Sequence, residues 1–158
     1  MKSIETSIRI KASGKQVWES LMDFKNYPHW NPFITSISGK QKVGEQLKVT
    51  IQPEGMKFQV FQPTILVIKK EVEFRWLGHL LVKGLFDGVH YFKIKENTEN
   101  TTLIHGEHFT GIFSGVLYNL VGDKTRRGFE AMNIALKDQL ENNTTIANSS
   151  QTINRNQP

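Results

Sequence analysis

The segment from Phe86 to Thr110 reads FDGVHYFKIKENTENTTLIHGEHFT, and its pattern decides the fold. Apolar and polar residues alternate over 86–96 and again over 101–110, which is typical of β-strands that bury one face. The polar residues 97–100 lie between the two strands and predict a tight turn. The segment is therefore expected to form an antiparallel hairpin.

The length of this turn sets the register of the hairpin. If Glu96 faces Thr101, alternate residues pair on one face of the sheet. These pairs are Ile94 with Leu103, Phe92 with His105, His90 with Glu107, and Gly88 with Phe109. The apolar members mark this face as the inner one, so His90, His105 and Glu107 are expected on the inner wall. A slip of one residue would place them all on the opposite face.

His90 and Glu107 are the candidate catalytic residues. Glu107 could orient or charge His90, and the pair could then transfer protons or bind a polar group of a ligand. A buried polar pair that hydrogen-bonds internally and only fixes the register is the favoured alternative. His90, His105 and Glu107 could also supply three metal ligands, but no metal-binding spacing motif accompanies them, so no metal site is expected. His29 is expected to cap its turn or to face solvent, and His79 and His108 are expected at the surface.

The residues before the hairpin predict one more strand, two short helices and four further strands. The alternation over 4–11 indicates a half-buried strand, and Ser13 with Gln16 forms a capping box that begins a helix. One or two helical turns around 27–32 follow, where Trp30 and Pro32 are expected to brace the corner into the next strand. Further strands are predicted at 33–38, 45–52, 56–68 and 72–78, and Pro63 requires an edge or a bulge in its strand.

After Gly111 the period of the apolar residues changes to that of a helix. The spacing predicts one helix from Ser114 to Glu141, about 40 Å long at ~1.5 Å per residue. This helix is the only element long enough to cover the inner face of the sheet, and a cavity is expected where the two splay apart. Residues 142–158 offer almost nothing to bury and are expected to form a disordered tail after a single domain at 1–141.

The composition excludes several classes of protein. The chain has 158 residues, enough for one domain with its own core, and no cysteine, which excludes disulfides and thiolate chemistry. Its net charge of +5 is dispersed and accompanies no nucleic-acid-binding motif, so no nucleic-acid partner is expected. The polar start and the lack of a long apolar run predict a cytoplasmic protein without stable membrane insertion.

The order β-α-α-β6-α resembles the helix-grip fold of the START and birch-pollen-allergen-like (SRPBCC) superfamily, in its polyketide cyclase/dehydrase and lipid-transport branch. The motifs that carry the resemblance lie along residues 1 to 141; they are Val17-Trp18 with Leu21 and Phe24, the segment Tyr27 to Phe33, Arg75 to Gly78, His90 to Phe92, His105 to Gly111, and Thr125 to Asn133. The resemblance implies an α+β domain whose curved antiparallel sheet of about seven strands wraps a long C-terminal helix. It also implies a hydrophobic ligand held between the sheet and the helix.

Three functions stay open at this point. The favoured one is binding of a small hydrophobic or amphipathic ligand, lipid- or polyketide-like, without metal or organic cofactor. The others are a cyclase or dehydratase that uses His90 and Glu107, and a protein-interaction module with a filled core. A cavity of roughly 300 Å³ or more fits the first two. The candidate ligand-binding residues, of which the aromatic ones and Met132 could equally be plain core, are Phe74, Trp76, His90, Phe92, His105, Glu107, Phe109, Phe129 and Met132.

Overall fold

The computed structural model describes residues 2–79 and 87–154, with the side chains of all of these except Leu117 and 143–154. Phe86, which was expected to begin a strand, lies outside the described residues. The described part contains eight strands and three α-helices. The strands are β1 (Lys2–Ile10), β2 (Ile34–Gly39), β3 (Leu47–Ile51), β4 (Gln59–Phe61), β5 (Thr64–Lys69), β6 (Glu73–His79), β7 (Asp87–Glu96) and β8 (Thr101–Thr110). The helices are α1 (Gly14–Met22), α2 (Tyr27–Trp30) and α3 (Ser114–Asn154).

The strands form two antiparallel sheets, one of five strands in the order β1-β8-β7-β6-β5 and one of three in the order β2-β3-β4. Backbone hydrogen bonds join the sheets where Leu47 N–H donates to Pro63 O (2.8 Å) and Ile65 N–H to Glu45 O (3.0 Å). The predicted helix-grip fold is confirmed, but the predicted strand count of about seven is wrong. The run 56–68 divides at Pro63, which has no N–H to donate, into β4 of one sheet and β5 of the other.

The register of the β7–β8 hairpin is confirmed. Glu96 pairs with Thr101, and the same register places His90 opposite Glu107. The turn at 97–100 is held by the Asn97 side chain, whose Oδ1 accepts hydrogen bonds from the backbone N–H groups of Glu99 and Asn100, both at 2.9 Å. The side chain of Asn97 thus fixes the turn, and the turn sets which residues of the two strands meet.

The helices between β1 and β2 begin as the sequence predicts. Gln16 N–H donates to Ser13 Oγ (3.2 Å), and Ser13 N–H donates to Gln16 Oε1 (2.9 Å), so the capping box is present. Asn31 then accepts hydrogen bonds from the backbone N–H groups of Phe33 and Ile34, which turns the chain into β2. Trp30 packs its ring on Tyr27 at this corner, with ring centroids 5.2 Å apart.

The helix α3 lies across the sheet and is longer than predicted. It runs to Asn154 rather than ending at Glu141. Its second half is tied to β1 and the residue after it, because Lys137 Nζ donates to Arg9 O (2.8 Å) and Glu141 Oε1 accepts from Lys11 N–H (2.8 Å). The boundary between a domain at 1–141 and a tail at 142–158 stays a prediction. Within the described part of the chain, no helix is long and apolar enough to cross a membrane.

Candidate functional site

A cavity of about 410 Å³ lies between the two sheets and the first half of α3. One wall is the inner face of β6, β7 and β8, and the opposite wall is the three-stranded sheet with the β3–β4 connection. Most of the lining is apolar; it includes Phe33, Val49, Ile51, Met56, Val60, Phe61, Trp76, Phe109, Leu120 and Val121. The polar side chains among the described lining residues are Gln59, His79, His90, Glu107 and Thr125.

Four of the nine predicted ligand-binding residues line this cavity: Trp76, His90, Glu107 and Phe109. The other five lie in the core beside it, because α3 packs directly on this part of the sheet. They are Phe74, Phe92, His105, Phe129 and Met132, each at most 1% exposed. Phe129 and Met132, the two candidate ligand-binding residues of the long helix, are therefore core residues in this structure. The helix meets the cavity one to three turns earlier, with Leu120, Val121 and Thr125.

His90 and Glu107 face each other on the cavity wall. His90 Nδ1 lies 3.9 Å from Glu107 Oε2, which is too long for a direct hydrogen bond. The Glu107 carboxyl lies against Gly88, where a Cβ atom would come within 2.2 Å of Oε1. Only a glycine at position 88 leaves room for the carboxyl in this place.

Both members of this pair are uncharged at neutral pH. Burial raises the pKa of the Glu107 carboxyl from 4.5 to about 8 and lowers the pKa of His90 from 6.5 to about 3. Withdrawal from water penalises the charged form of each group, and at 3.9 Å their mutual attraction does not offset that penalty. The pair is therefore a neutral acid facing a neutral imidazole rather than an ion pair.

Behind His90, a chain of hydrogen bonds runs through the core to β1. His90 Nε2 lies 3.0 Å from His105 Nε2, and His105 Nδ1 lies 3.1 Å from Asn133 Oδ1 on α3. Asn133 Nδ2 donates to Thr6 Oγ1 (3.0 Å), and Thr6 Oγ1 donates to the backbone carbonyl of His105 (3.1 Å). The chain connects the cavity wall to both β1 and α3.

Aromatic rings enclose the two histidines. The ring of His105 stacks on Phe129 at 3.8 Å between centroids, and Phe129 also meets His90 edge-on at 5.1 Å. This enclosure excludes water from both imidazoles, and burial lowers the pKa of His105 well below its usual value, with a further contribution from His90. Neither imidazole carries a charge at neutral pH.

Thr6, Asn133 and Gly88 are site residues that the sequence reasoning missed. Thr6 occupies an inward position of β1, between Ile4 and Ile8. Asn133 interrupts the apolar stripe of α3, next to Met132. A polar residue at a core position was the signal available in both cases.

The other histidines lie away from the polar chain. His29 is exposed, as predicted, and so is His79, which pairs with Asp87 at the cavity rim (Nδ1 to Oδ1 2.7 Å). His108 is only half-buried on the outer face, where its ring packs on Tyr91 at 4.9 Å. Among the residues that the structure describes, no group of three or more His, Asp or Glu side chains is arranged to hold a metal ion.

Comparison with known families and structures matches this architecture. The model of a family described as polyketide cyclase/dehydrase and lipid transport matches residues 1–144. No curated protein matches the chain. Three solved structures illustrate the similarity of fold, each too distant in sequence to indicate more than the fold.

An aromatase/cyclase from a Streptomyces species is 13% identical, with a TM-score of 0.71 over 89% of this chain and 93% of its own. A START superfamily protein from Mycobacterium smegmatis is 17% identical, with a TM-score of 0.66 over 89% and 97%. A di-domain aromatase/cyclase of the steffimycin biosynthetic pathway is 10% identical, with a TM-score of 0.72 over 90% of this chain and 51% of its own.

Proposed function

The chain belongs to the polyketide cyclase/dehydrase and lipid-transport family, and we propose that it binds a small hydrophobic or amphipathic ligand in the cavity between its sheets and α3. The observation that carries this proposal is the cavity itself. Its volume of about 410 Å³ falls within the range of roughly 300–1,000 Å³ that is usual for small-molecule sites. An interaction module with a filled core is disfavoured by the same observation.

The lining suits a ligand that is apolar over most of its surface. Side chains of the three-stranded sheet, such as Ile51 and Phe61, face Trp76 and Phe109 of the larger sheet across the cavity. The neutral pair of His90 and Glu107 supplies polar contacts on one wall without placing a charge next to the ligand. A lipid-like or polyketide-like molecule combines these two properties.

A cyclase or dehydratase is the second candidate, and the state of Glu107 favours it. A carboxyl with a pKa of about 8 is protonated at neutral pH and can act as a general acid, and a catalytic pKa near the working pH is the efficient choice. Aromatase/cyclases are also among the similar structures. However, His90 with a pKa of about 3 is a weak base, so acid–base catalysis would depend mainly on Glu107.

Binding is tested by native mass spectrometry of protein purified from its host, which would detect a co-purified ligand, and by calorimetry with naphthylmethanol as a defined probe. Ile51→Trp should fill the cavity from β3 and abolish binding, and Thr125→Phe should do the same from α3. Ile134→Trp is the matched control, because Ile134 is 53% exposed and does not line the cavity. Failure of the probe to bind, or full binding by both cavity variants in folded form, would contradict the proposal.

Mutation of the polar pair separates the binder from the enzyme. In a binder, His90→Phe should change ligand preference, and Glu107→Gln should have a mild effect because the amide still donates a hydrogen bond. In an enzyme, either change should lower the turnover of a bound substrate by roughly 10²–10⁴-fold while the ligand still binds. Equal turnover in the wild type and both variants would exclude the enzyme reading for this pair.

A further inference from the structure

The hydrogen-bond chain behind His90 determines which nitrogens of the two histidines carry protons. Thr6 has one hydroxyl hydrogen, and the backbone carbonyl of His105 can only accept, so Thr6 donates there. Thr6 Oγ1 then has only lone pairs left for Asn133, which must present its Nδ2. The amide oxygen Oδ1 of Asn133 is thereby turned towards His105 Nδ1.

The tautomers of both imidazoles follow from the orientation of this amide. Because Asn133 Oδ1 accepts, Nδ1 of His105 carries the proton. Both rings are neutral, so Nε2 of His105 is a bare acceptor, and the hydrogen between the two rings belongs to Nε2 of His90. His90 Nδ1, on the Glu107 side of the ring, therefore bears a lone pair.

The cavity wall thus presents an acceptor and a donor side by side. The acceptor is His90 Nδ1, and the donor is the Glu107 carboxyl, which keeps its proton at neutral pH. His90 Nδ1 and Glu107 Oε2 are 3.9 Å apart. One oxygen atom can lie about 2.8 Å from both, which is the usual length of such hydrogen bonds. That oxygen must donate to His90 and accept from Glu107.

We propose that this pair recognises a hydroxyl group, so that the ligand class is an apolar molecule bearing an alcohol or phenol rather than a hydrocarbon, an ether or a carboxylate anion. The inference rests on the proposed function, since it names the ligand of the same cavity. A hydroxyl both donates and accepts through one atom, whereas an ether oxygen has no hydrogen for His90. A carboxylate anion lacks that hydrogen too, and no Lys or Arg side chain is among the described residues that line the cavity.

A series of three probes tests this assignment by calorimetry at neutral pH. Naphthylmethanol, its methyl ether and methylnaphthalene share an apolar body and differ in the group that meets the pair. The alcohol should bind at least about tenfold more tightly than the other two, because only the alcohol satisfies both partners. If all three bind equally, the hydroxyl assignment is wrong while the proposed function stands. If none binds, both are wrong.

Variants locate the preference at the pair. His90→Phe should bind the alcohol and the ether with similar affinity, since the acceptor is gone and both oxygens can still accept from Glu107. His29→Phe is the matched control, because the same substitution at an exposed histidine that does not line the cavity should keep the preference for the alcohol. A preference for the alcohol over the ether that persists in His90→Phe, or that disappears in His29→Phe, would overturn the assignment.

The tautomers can be observed directly in the free protein. Imidazole ¹⁵N spectra distinguish a protonated from an unprotonated ring nitrogen, and this readout does not depend on any ligand. We expect the proton on Nε2 of His90 and on Nδ1 of His105. A proton on Nδ1 of His90 would remove the acceptor from the cavity wall and contradict the proposal.

Discussion

The imidazole of His90 lies flat on the indole of Trp76, its neighbour on the adjacent strand, with ring centroids 4.4 Å apart and an interplanar angle of 3°. This stacking fixes the plane of the imidazole, so one ring nitrogen faces His105 and the other faces Glu107. The ring cannot turn to hydrate an added proton. The protonation of the site is therefore linked to the stability of the fold.

Acid should destabilise the protein through the histidines. The unfolded chain protonates His90 near its ordinary pKa of 6.5, whereas the folded protein resists protonation down to about 3. Between these values the unfolded state binds more protons, so the free energy of unfolding rises with pH, by about 1.4 kcal/mol per pH unit for each such group. Urea denaturation across this range should show the rise, and His90→Phe should reduce its slope.

Alkali should destabilise the protein through Glu107. The folded protein keeps this carboxyl protonated up to about pH 8, whereas the unfolded chain loses the proton near 4.5. In this window the folded state binds more protons, so this group lowers the free energy of unfolding as pH rises. Above 6.5, where the histidines no longer contribute, stability should fall until about pH 8. A Glu107→Gln variant that still shows this fall would contradict the assignment.

Gly88→Ala should displace the Glu107 carboxyl without unfolding the sheet. The new Cβ would lie 2.2 Å from Glu107 Oε1, and the end of a flexible side chain can move away. Gly78→Ala is the control on the facing strand, because its Cβ would meet nothing closer than 3.9 Å. Only Gly88→Ala should shift the pKa of Glu107, as measured by NMR titration. An unchanged pKa would show that the carboxyl does not lie against Gly88.

Replacing each of two glycines of α3 by alanine should change the free energy of unfolding in opposite directions. At Gly128 a Cβ would come within 2.2 Å of the Phe33 ring, and this overpacking should cost about 1–3 kcal/mol. At Gly122 the nearest atoms belong to the Tyr118 ring at 3.7 Å, so Gly122→Ala should stabilise the helix by up to about 1 kcal/mol. Thermal and chemical denaturation measure both. Equal effects would mean that Phe33 does not pack against Gly128.

Removal of residues 144–158 should leave the melting temperature within about two degrees. Among the described side chains of α3, the last ones in contact with the rest of the domain are Lys137, Leu140 and Glu141. The truncation keeps all three. A further cut that also removes Leu140 and Glu141 is the contrasting variant and should lower the melting temperature clearly. A large loss from the first truncation would instead show that residues 144–158 are docked.

The sequence was sufficient to predict the hairpin and its polar pair, because both depend on local rules. A four-residue turn beginning at Asn97 fixes the register, and the period of two then places His90 and Glu107 on one face. It was not sufficient to predict the cavity. Which turn of α3 lies over which strand depends on how the whole helix packs, so Phe129 was assigned to the cavity instead of Leu120.

The position of the three-stranded sheet could not be predicted from the sequence either. Its residues alternate as those of any half-buried strand do, and nothing local indicates that Ile51 and Phe61 face Trp76 across an open space. The break at Pro63 was predicted as an edge or a bulge, but its effect on the fold was not. By ending one sheet and beginning the next, Pro63 allows the strands to curve around the cavity.

The first strand of the chain completes its sheet by pairing with the last. Thr6 donates a hydrogen bond to His105, 99 residues away, and Lys11 donates one to Glu141, 130 residues away. Contacts between such distant segments form late, because a long loop must close first. During synthesis on the ribosome, β1 therefore stays unpaired until β8 has emerged. Incomplete chains expose an unpaired strand that can aggregate, and none of them contains the finished cavity.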